Sequence, residues 1–275
     1  MKTGGMWGGA LALALLAAGA FAGPEPAREL RVCADPDNLP FSNQAGEGFE
    51  NRIAEIVAAD LGASLRYTWH PQRKGFVRNT LKAGLCDLVI GVPAGYEPML
   101  TTRPYYRSTY VFVYPTDAKM ELHTFDDAPL RKLRIGLHAF GDDGANSPAA
   151  HALARRGIVG NIVGFTILNT DESPSGRIID AVARREIDVA IVWGPFAGWF
   201  ARQQRVALAL VPVDAGARDA AMPFVYDIAM GVRPGDVPFK NEIESVLQRR
   251  RVEIDRVLED FRVPLVPAAD PPALH

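Results

Sequence analysis

Apolar residues recur at helical spacing through Phe49, Ile53, Ile56, Val57 and Leu61. That period predicts an amphipathic helix over 49–61 lying against a sheet, stopped by Gly62. A strand is expected just before it at 30–34, running into the polar, proline-bearing loop DPDNLPFSNQ (35–44). Behind it come an alternating strand at 64–68, the loop HPQRKG (70–75), a helix over 76–83, a strand at 88–91 and a threonine-, tyrosine- and valine-rich connecting strand at 108–114. Short βα units in succession favour an open, mostly parallel sheet with helices outside.

The pattern then repeats. Strands are predicted at 133–137, 162–167, 187–193 and 207–211, with helices over 149–156, 176–185 and 196–203 and the glycine-containing loop HAFGDDGANSP at 138–148. A Gly/Ala-rich linker, DAGARDAAMP (214–223), leads into VYDIAMGVR (225–233). Two helices at 239–248 and 252–261 follow, with Val246, Leu247, Ile254, Val257, Leu258 and Phe261 as packing positions. The chain changes layers near 115–117 and returns near 214–223. The predicted organisation is α/β with two lobes: 27–115 and 222–265 form the first, 116–221 with its hinge crossings the second, and 266–275 is a tail. Two crossings make a hinge and place a central cleft between the lobes.

Ahead of these elements stands a leader at 1–22 with one early basic residue, Lys2, an apolar run near 10–20 and an Ala20-Phe21-Ala22 end. These are the marks of a secretory signal peptide. No second apolar segment approaches the length that spans a bilayer, so the mature protein is expected outside the cytoplasm without stable membrane insertion. The net charge is −2, with acidic and basic residues mixed. That balance gives neither a nucleic-acid footprint nor a polybasic membrane patch, and it suits a neutral or weakly polar ligand or a protein surface. Cys33 and Cys86 are the two cysteines. Both fall in predicted strand regions of the first unit, where neighbouring strands can bring the sulfurs together. A disulfide is expected, with two buried thiols or one buried and one surface thiol as alternatives.

Open α/β sheets bind ligands beyond the carboxyl ends of their strands. The loops there carry Asn38, Phe41, Trp69, Arg73, Tyr96, Phe140, Asp142, Asp143, Trp193, Phe196 and Trp199. The wall is aromatic, which suits an apolar ligand or an inserted partner segment. Phe41, Tyr96, Trp193 and Trp199 are candidates for ligand or partner contact, with lobe packing as the alternative. Phe140 and Phe196 also fit a fold-back onto the core, and Trp69 a strand cap. Asn38 fits a turn-stabilising role as well, Arg73 either a carboxylate fork or a solvated ion pair, and Glu50 a helix cap.

Catalytic signatures are weak. His70, His123, His138, His151 and His275 lack metal-ligand spacing, and Asp35, Asp37 and Asn38 lack the spaced loop of a calcium site. There is no GxSxG elbow or Walker loop, and GVPAG (91–95) is not a dinucleotide fingerprint. The reading is a non-enzyme with no intrinsic cofactor or metal.

The order GFENRIAEIVAADLG (48–62), QRKGFVRNTLKAGLCDLVIG (72–91) and TTRPYYRSTYVFVYP (101–115) resembles the type-II periplasmic binding protein fold. Together with IDVAIVWGPFAGWFA (187–201) and VLEDFRVPLVP (257–267), it is similar to the accessory proteins of methylotroph quinoprotein methanol dehydrogenase operons, the methanol-oxidation J family, over about 29–267. The resemblance implies a periplasmic protein that supports maturation or activation of a methanol dehydrogenase without oxidising methanol. Pyrroloquinoline quinone (PQQ) with calcium or a lanthanide belongs to that partner. Amino-acid-binding relatives of the fold place an arginine after the strand at 88–91 and an aspartate after the strand at 187–193. This chain has Tyr96-Glu97 and Trp193-Gly194 in those regions. Without both charges, an amino acid's buried carboxylate and ammonium are poorly compensated. The alternative function is delivery of a small apolar or weakly polar molecule to a transporter.

Overall fold

The predicted stripe on the first helix is buried as the period requires. In the computed structural model, α1 (Phe49–Asp60) sinks Phe49, Ile53, Ala54, Val57 and Ala58 against the sheet. The structure describes Met1, Gly4 and residues 28–140, 145–166 and 175–267. The leader, apart from Met1 and Gly4, lies outside the described residues, as do Asp142, Asp143 and the tail from 268 onward.

The first unit contains β1 (Glu29–Ala34), the small hairpin β2 (Asp37–Asn38) and β3 (Ser42–Asn43), α1, β4 (Ser64–Trp69), α2 (Phe76–Asn79), β5 (Leu88–Pro93) and β6 (Leu100–Thr101). A long strand, β7 (Tyr106–Pro115), leads to β8 (Ile135–Phe140), β9 (Ala145–Asn146), α3 (Pro148–Ala154), β10 (Ile162–Thr166), α4 (Arg177–Ala183), β11 (Val189–Trp193), α5 (Gly194–Ala201) and β12 (Leu208–Pro212). The chain ends with β13 (Val225–Val232), α6 (Val237–Arg249) and α7 (Arg251–Asp260).

The main sheet runs β10-β8-β11-β7-β13-β5-β1-β4. Its strands are mixed in direction, which corrects the mostly parallel expectation. β1 is parallel to β4 and β5, and β8 to β10 and β11, through helical crossovers. The crossing strands return the other way: β7 is antiparallel to β11, β12 and β13, and β13 is antiparallel to β5. The first half of β7 pairs with β13 through Tyr106 to Thr109, and its second half with β11 and β12.

Hydrophobic burial divides along the same line. One core gathers residues from Leu30 to Tyr106 and again from Ile228 to Val263, including the predicted Val246, Leu247, Ile254 and Leu258. Two further clusters, centred on Phe112, Leu130 and Val189 and on Val111, Ile178 and Ala190, draw on the intervening chain. Burial of each fully enclosed Ile, Leu or Phe contributes about 1.5–3 kcal/mol.

Two segments depart from expectation. The helix predicted over 76–83 ends after one turn, because Thr80 leaves the helical region and its Oγ1 donates to the Phe76 carbonyl at 2.7 Å. A short hydroxyl that bonds its own backbone competes with the helix in this way. The chain then turns at Gly84, whose φ is 73°, to bring Cys86 under β1. Cys33 and Cys86 form a disulfide with Cα atoms 5.5 Å apart. The second departure is the Gly/Ala-rich linker, where Asp219 is fully buried and ion-paired to Arg155 and, at 2.7 Å, to Arg156.

Candidate functional site

The loop after β1 is held in place from three sides. Asp35 Oδ1 accepts from the Asp37 amide at 2.9 Å and its Oδ2 from the Gln72 amide at 2.6 Å, tying 35–44 to 70–75. The buried Asn51 side chain accepts from the Asn43 and Gly48 amides, each at 3.1 Å. Gly48 lets α1 start against this loop: a Cβ there would stand 2.0 Å from the Phe41 carbonyl oxygen. Asn38 and Phe41 are thereby presented from the first unit toward β7 and β11.

Opposite them, β11 ends in Trp193 immediately before α5. Its indole meets Tyr110 of β7 and Tyr226 of β13 edge-on, each with centroids 5.6 Å apart. Two adjoining cavities of about 260 and 250 Å³ share Asn38, Phe41, Tyr110 and Trp193 as walls. The first extends toward His138, Arg177 and Phe196, the second toward Glu50, Gln72 and Tyr226.

Of the predicted site residues, Asn38, Phe41, Trp193 and Phe196 converge on this cleft. Four others sit elsewhere. Trp199 stacks on Phe261 of the other core at 4.7 Å and carries the Arg202 guanidinium 4.9 Å above its ring. Trp69 stacks on Tyr67 at 4.5 Å, at the end of edge strand β4. Arg73 and Tyr96 line a separate groove beside α2. The Phe140 side chain lies outside the described residues.

Tyr110, Tyr226, His138, Arg177 and Glu50 were missed as cleft residues. Position on the crossing strands was the available signal for the tyrosines, since β7 and β13 run beneath a cleft formed between the cores they connect. Nothing local marked the other three.

Apart from the Arg177 guanidinium, the strongly shifted ionisable groups of the lining move toward their neutral forms. Burial, reinforced by the Asp35 charge, pushes the Glu50 carboxyl well above the usual carboxylate range. A Cβ at Gly91, whose φ is 77°, would stand 1.8 Å from Glu50 Oε1, so the backbone of β5 closes directly over that carboxyl. Burial likewise raises the Tyr106, Tyr110 and Tyr226 hydroxyls. Arg177 supplies the guanidinium on the wall. Its Nη2 donates to Glu186 at 2.5 Å, while its Nη1 is buried with no acceptor.

Burial also lowers the His138 pKa to about 4. Its ring meets Phe196 edge-on at 4.7 Å. A free imidazole titrates near 6.5. Below that pH the unfolded chain takes up a proton that the folded chain refuses, so stability falls as pH drops from 6.5 toward 4, by about 3 kcal/mol at most. Denaturant titrations at pH 7 and pH 4.5 should therefore differ less for His138→Gln than for the natural protein.

Among the described residues no group of three or more His, Cys, Asp or Glu side chains could hold a metal ion. No helix among them is long and apolar enough to cross a membrane.

No protein-family model matches the chain. The protein MoxJ of Methylorubrum extorquens AM1 is 30% identical over 249 residues, covering 88% of this chain and 83% of that protein. The chain belongs to the methanol-oxidation J family. The MoxJ protein of Paracoccus denitrificans is 33% identical to this J-family chain over 253 residues, 87% of it and 90% of the relative. The crystal structure of periplasmic binding protein XoxJ from Methylobacterium extorquens AM1 superposes with a TM-score of 0.72 at 38% identity, covering 87% of this chain and 100% of XoxJ. The J-family protein thus has a periplasmic binding-protein-like fold of mixed α/β topology.

Proposed function

We propose that this J-family protein is a non-catalytic periplasmic accessory factor of a PQQ-dependent methanol dehydrogenase, and that its cleft receives an uncharged, apolar segment of that enzyme during maturation or activation. The observation that carries the reading is the cleft lining: aromatic rings from both cores, a carboxyl whose pKa burial raises, an imidazole whose pKa burial lowers, and tyrosine hydroxyls whose pKa burial raises. Such a surface repays burial of apolar groups and offers a few directed hydrogen bonds. Its one acidic side chain, Glu50, is shifted toward the protonated form, so the lining offers poor compensation for an amino acid's ammonium group and a zwitterion would enter at a desolvation cost.

The cores on either side of β7 and β13 are the two lobes of this proposal, 27–115 with 222–265 and 116–221, and the crossing strands are its hinge. Closure around an inserted segment would limit the conformations that the segment samples. The quinone and its calcium or lanthanide ion belong to the dehydrogenase. A second reading is favoured by cavity size: volumes of about 260 and 250 Å³ also suit a small uncharged solute destined for a transporter.

Native mass spectrometry of the mature protein with its cognate dehydrogenase, in apo and metal-loaded forms, separates the two. A complex of defined stoichiometry is expected. Free protein retaining a small-molecule mass, with no complex at any dehydrogenase concentration, would transfer the assignment to solute delivery.

A further inference from the structure

The early end of α2 has a consequence for the surface. With only one helical turn over this part of the sheet, a groove of about 510 Å³ opens between α2 and the loop after β5. Its floor is apolar, formed by Phe76, Val89, Val92 and Met99. The Tyr96 ring stands at its lip, 44% exposed.

Arg73, Lys74, Arg78 and Lys82 line the groove, and all four are exposed. No acidic side chain lines it; Glu97, in the adjoining loop, is exposed and stands apart from the lining. Many other surface arginines are ion-paired, as in Arg28 with Glu242 at 2.6 Å and Arg185 with Asp117 at 2.6 Å, although isolated ones such as Arg205 and Arg256 also occur among the described residues. Among the described residues, none of the four groove cations forms such a pair. Four like charges within ten residues of sequence repel one another and leave a local positive field on a chain of net charge −2.

The groove adjoins the cleft. Gln72, Gly91 and Pro93 line both. One extended chain can therefore run from the aromatic cleft, over Gly91, into the basic groove.

We propose that this groove is the second half of a bipartite protein-docking site and takes an acidic stretch, bearing apolar side chains for its floor, adjacent to the dehydrogenase segment that enters the cleft. The inference rests on the accessory function proposed above. It adds the partner's chemistry: uncharged and apolar at one end, carboxylate-rich at the other. Aspartates or glutamates there meet cations that have no internal partner to give up, so pairing carries little competing cost. Exposed charges at the edge of an interface act mainly on encounter rate and salt dependence, whereas the buried aromatic part sets the dissociation rate.

The test compares three forms of the full mature protein in association kinetics with purified cognate methanol dehydrogenase, across about 0.02–0.5 M salt, a range over which screening changes strongly. They are the natural protein, the reversal variant Arg73→Glu/Lys74→Glu/Arg78→Glu/Lys82→Glu and the cleft variant Trp193→Ala. The four reversed positions are exposed, and a thermal melt confirms that the fold is kept.

The reversal variant should associate about tenfold or more slowly at low salt, with the difference closing as salt rises. The cleft variant should dissociate faster yet keep the natural salt slope. A reversal variant that matches the natural protein in rate and slope, while the cleft variant is weakened, overturns the groove proposal and leaves the accessory function standing. Absence of association by the natural protein at every salt concentration overturns both. If vesicles containing phosphatidylglycerol bind the natural protein but not the reversal variant, and dehydrogenase kinetics are unchanged between them, the groove belongs to an anionic lipid surface and the proposal fails.

Discussion

Replacing Trp193 and Tyr110 together by alanine is expected to weaken association with the methanol dehydrogenase by about a hundredfold to a thousandfold, and to abolish the saturable effect of the protein on dehydrogenase activation. The magnitude follows from the placement of the two rings. They are two of the four residues that wall both cavities, and Trp193 joins Tyr110 and Tyr226 edge-on at 5.6 Å. Central aromatic anchors of this kind each contribute about 2 kcal/mol or more when truncated, and two such losses correspond to that range of affinity. Their removal also withdraws packing from β7 and β11, at a stability cost of up to about 3 kcal/mol per large side chain. Trp193→Leu separates the two effects, because it retains apolar contact with Tyr226 while removing the planar face. Isothermal titration of the folded Trp193→Leu protein should still show weakened binding. Affinity and activation equal to the natural protein in both variants would sink the cleft assignment.

Asp219→Ala should be the most destabilising single change outside the hydrophobic cores. Asp219 is fully buried in a turn between β12 and β13, and its carboxylate faces Arg155 and Arg156. The Arg156 side chain is itself 1% exposed, and it also reaches Asp126 through Nε and Nη2 at 2.8 and 2.7 Å. Deleting the shared carboxylate leaves an arginine charge buried with only its outer partner, a loss of about 3–5 kcal/mol. For a chain of this length that lowers the melting temperature by about 10 °C. Asp219→Asn keeps the shape and one acceptor and should lose less, whereas Asp126→Ala, at the solvent edge of the same network, should lose least. A melting temperature within about 2 °C of the natural protein for Asp219→Ala would show that the segment at 214–223 is a passive linker after all.

The elements were well marked where one periodic face meets one core. The stripe at Phe49, Ile53 and Val57 and the pair of helices carrying Val246, Leu247, Ile254 and Leu258 fall close to their predicted bounds, because burial selects that spacing directly. Cys33 on β1 and Cys86, two residues ahead of the parallel neighbour β5, were within reach of sequence reasoning because adjacent βα units bring their strand starts together. The helix after Phe76 overran, since helical spacing does not register that the Thr80 hydroxyl will bond its own backbone.

Sequence by itself determined an α/β chain built from successive βα runs, an aromatic candidate wall and, through the ordered motifs, the resemblance to the J family. Period and residue chemistry are local properties, so they survive without coordinates. Tertiary structure decided which aromatic residues share a space. Phe41 and Trp193, packed on one core, meet Phe196 of another across the same cavity, while Tyr96 is turned into the basic groove and Trp199 is engaged by Phe261. It also decided the electrostatics of the cleft, because the raised Glu50 carboxyl and the lowered His138 imidazole are products of enclosure rather than of neighbours in sequence. Asp219 belongs to the same class: its arginine partners lie more than sixty residues away, and only folding brings this carboxylate of an alanine-rich stretch to their side.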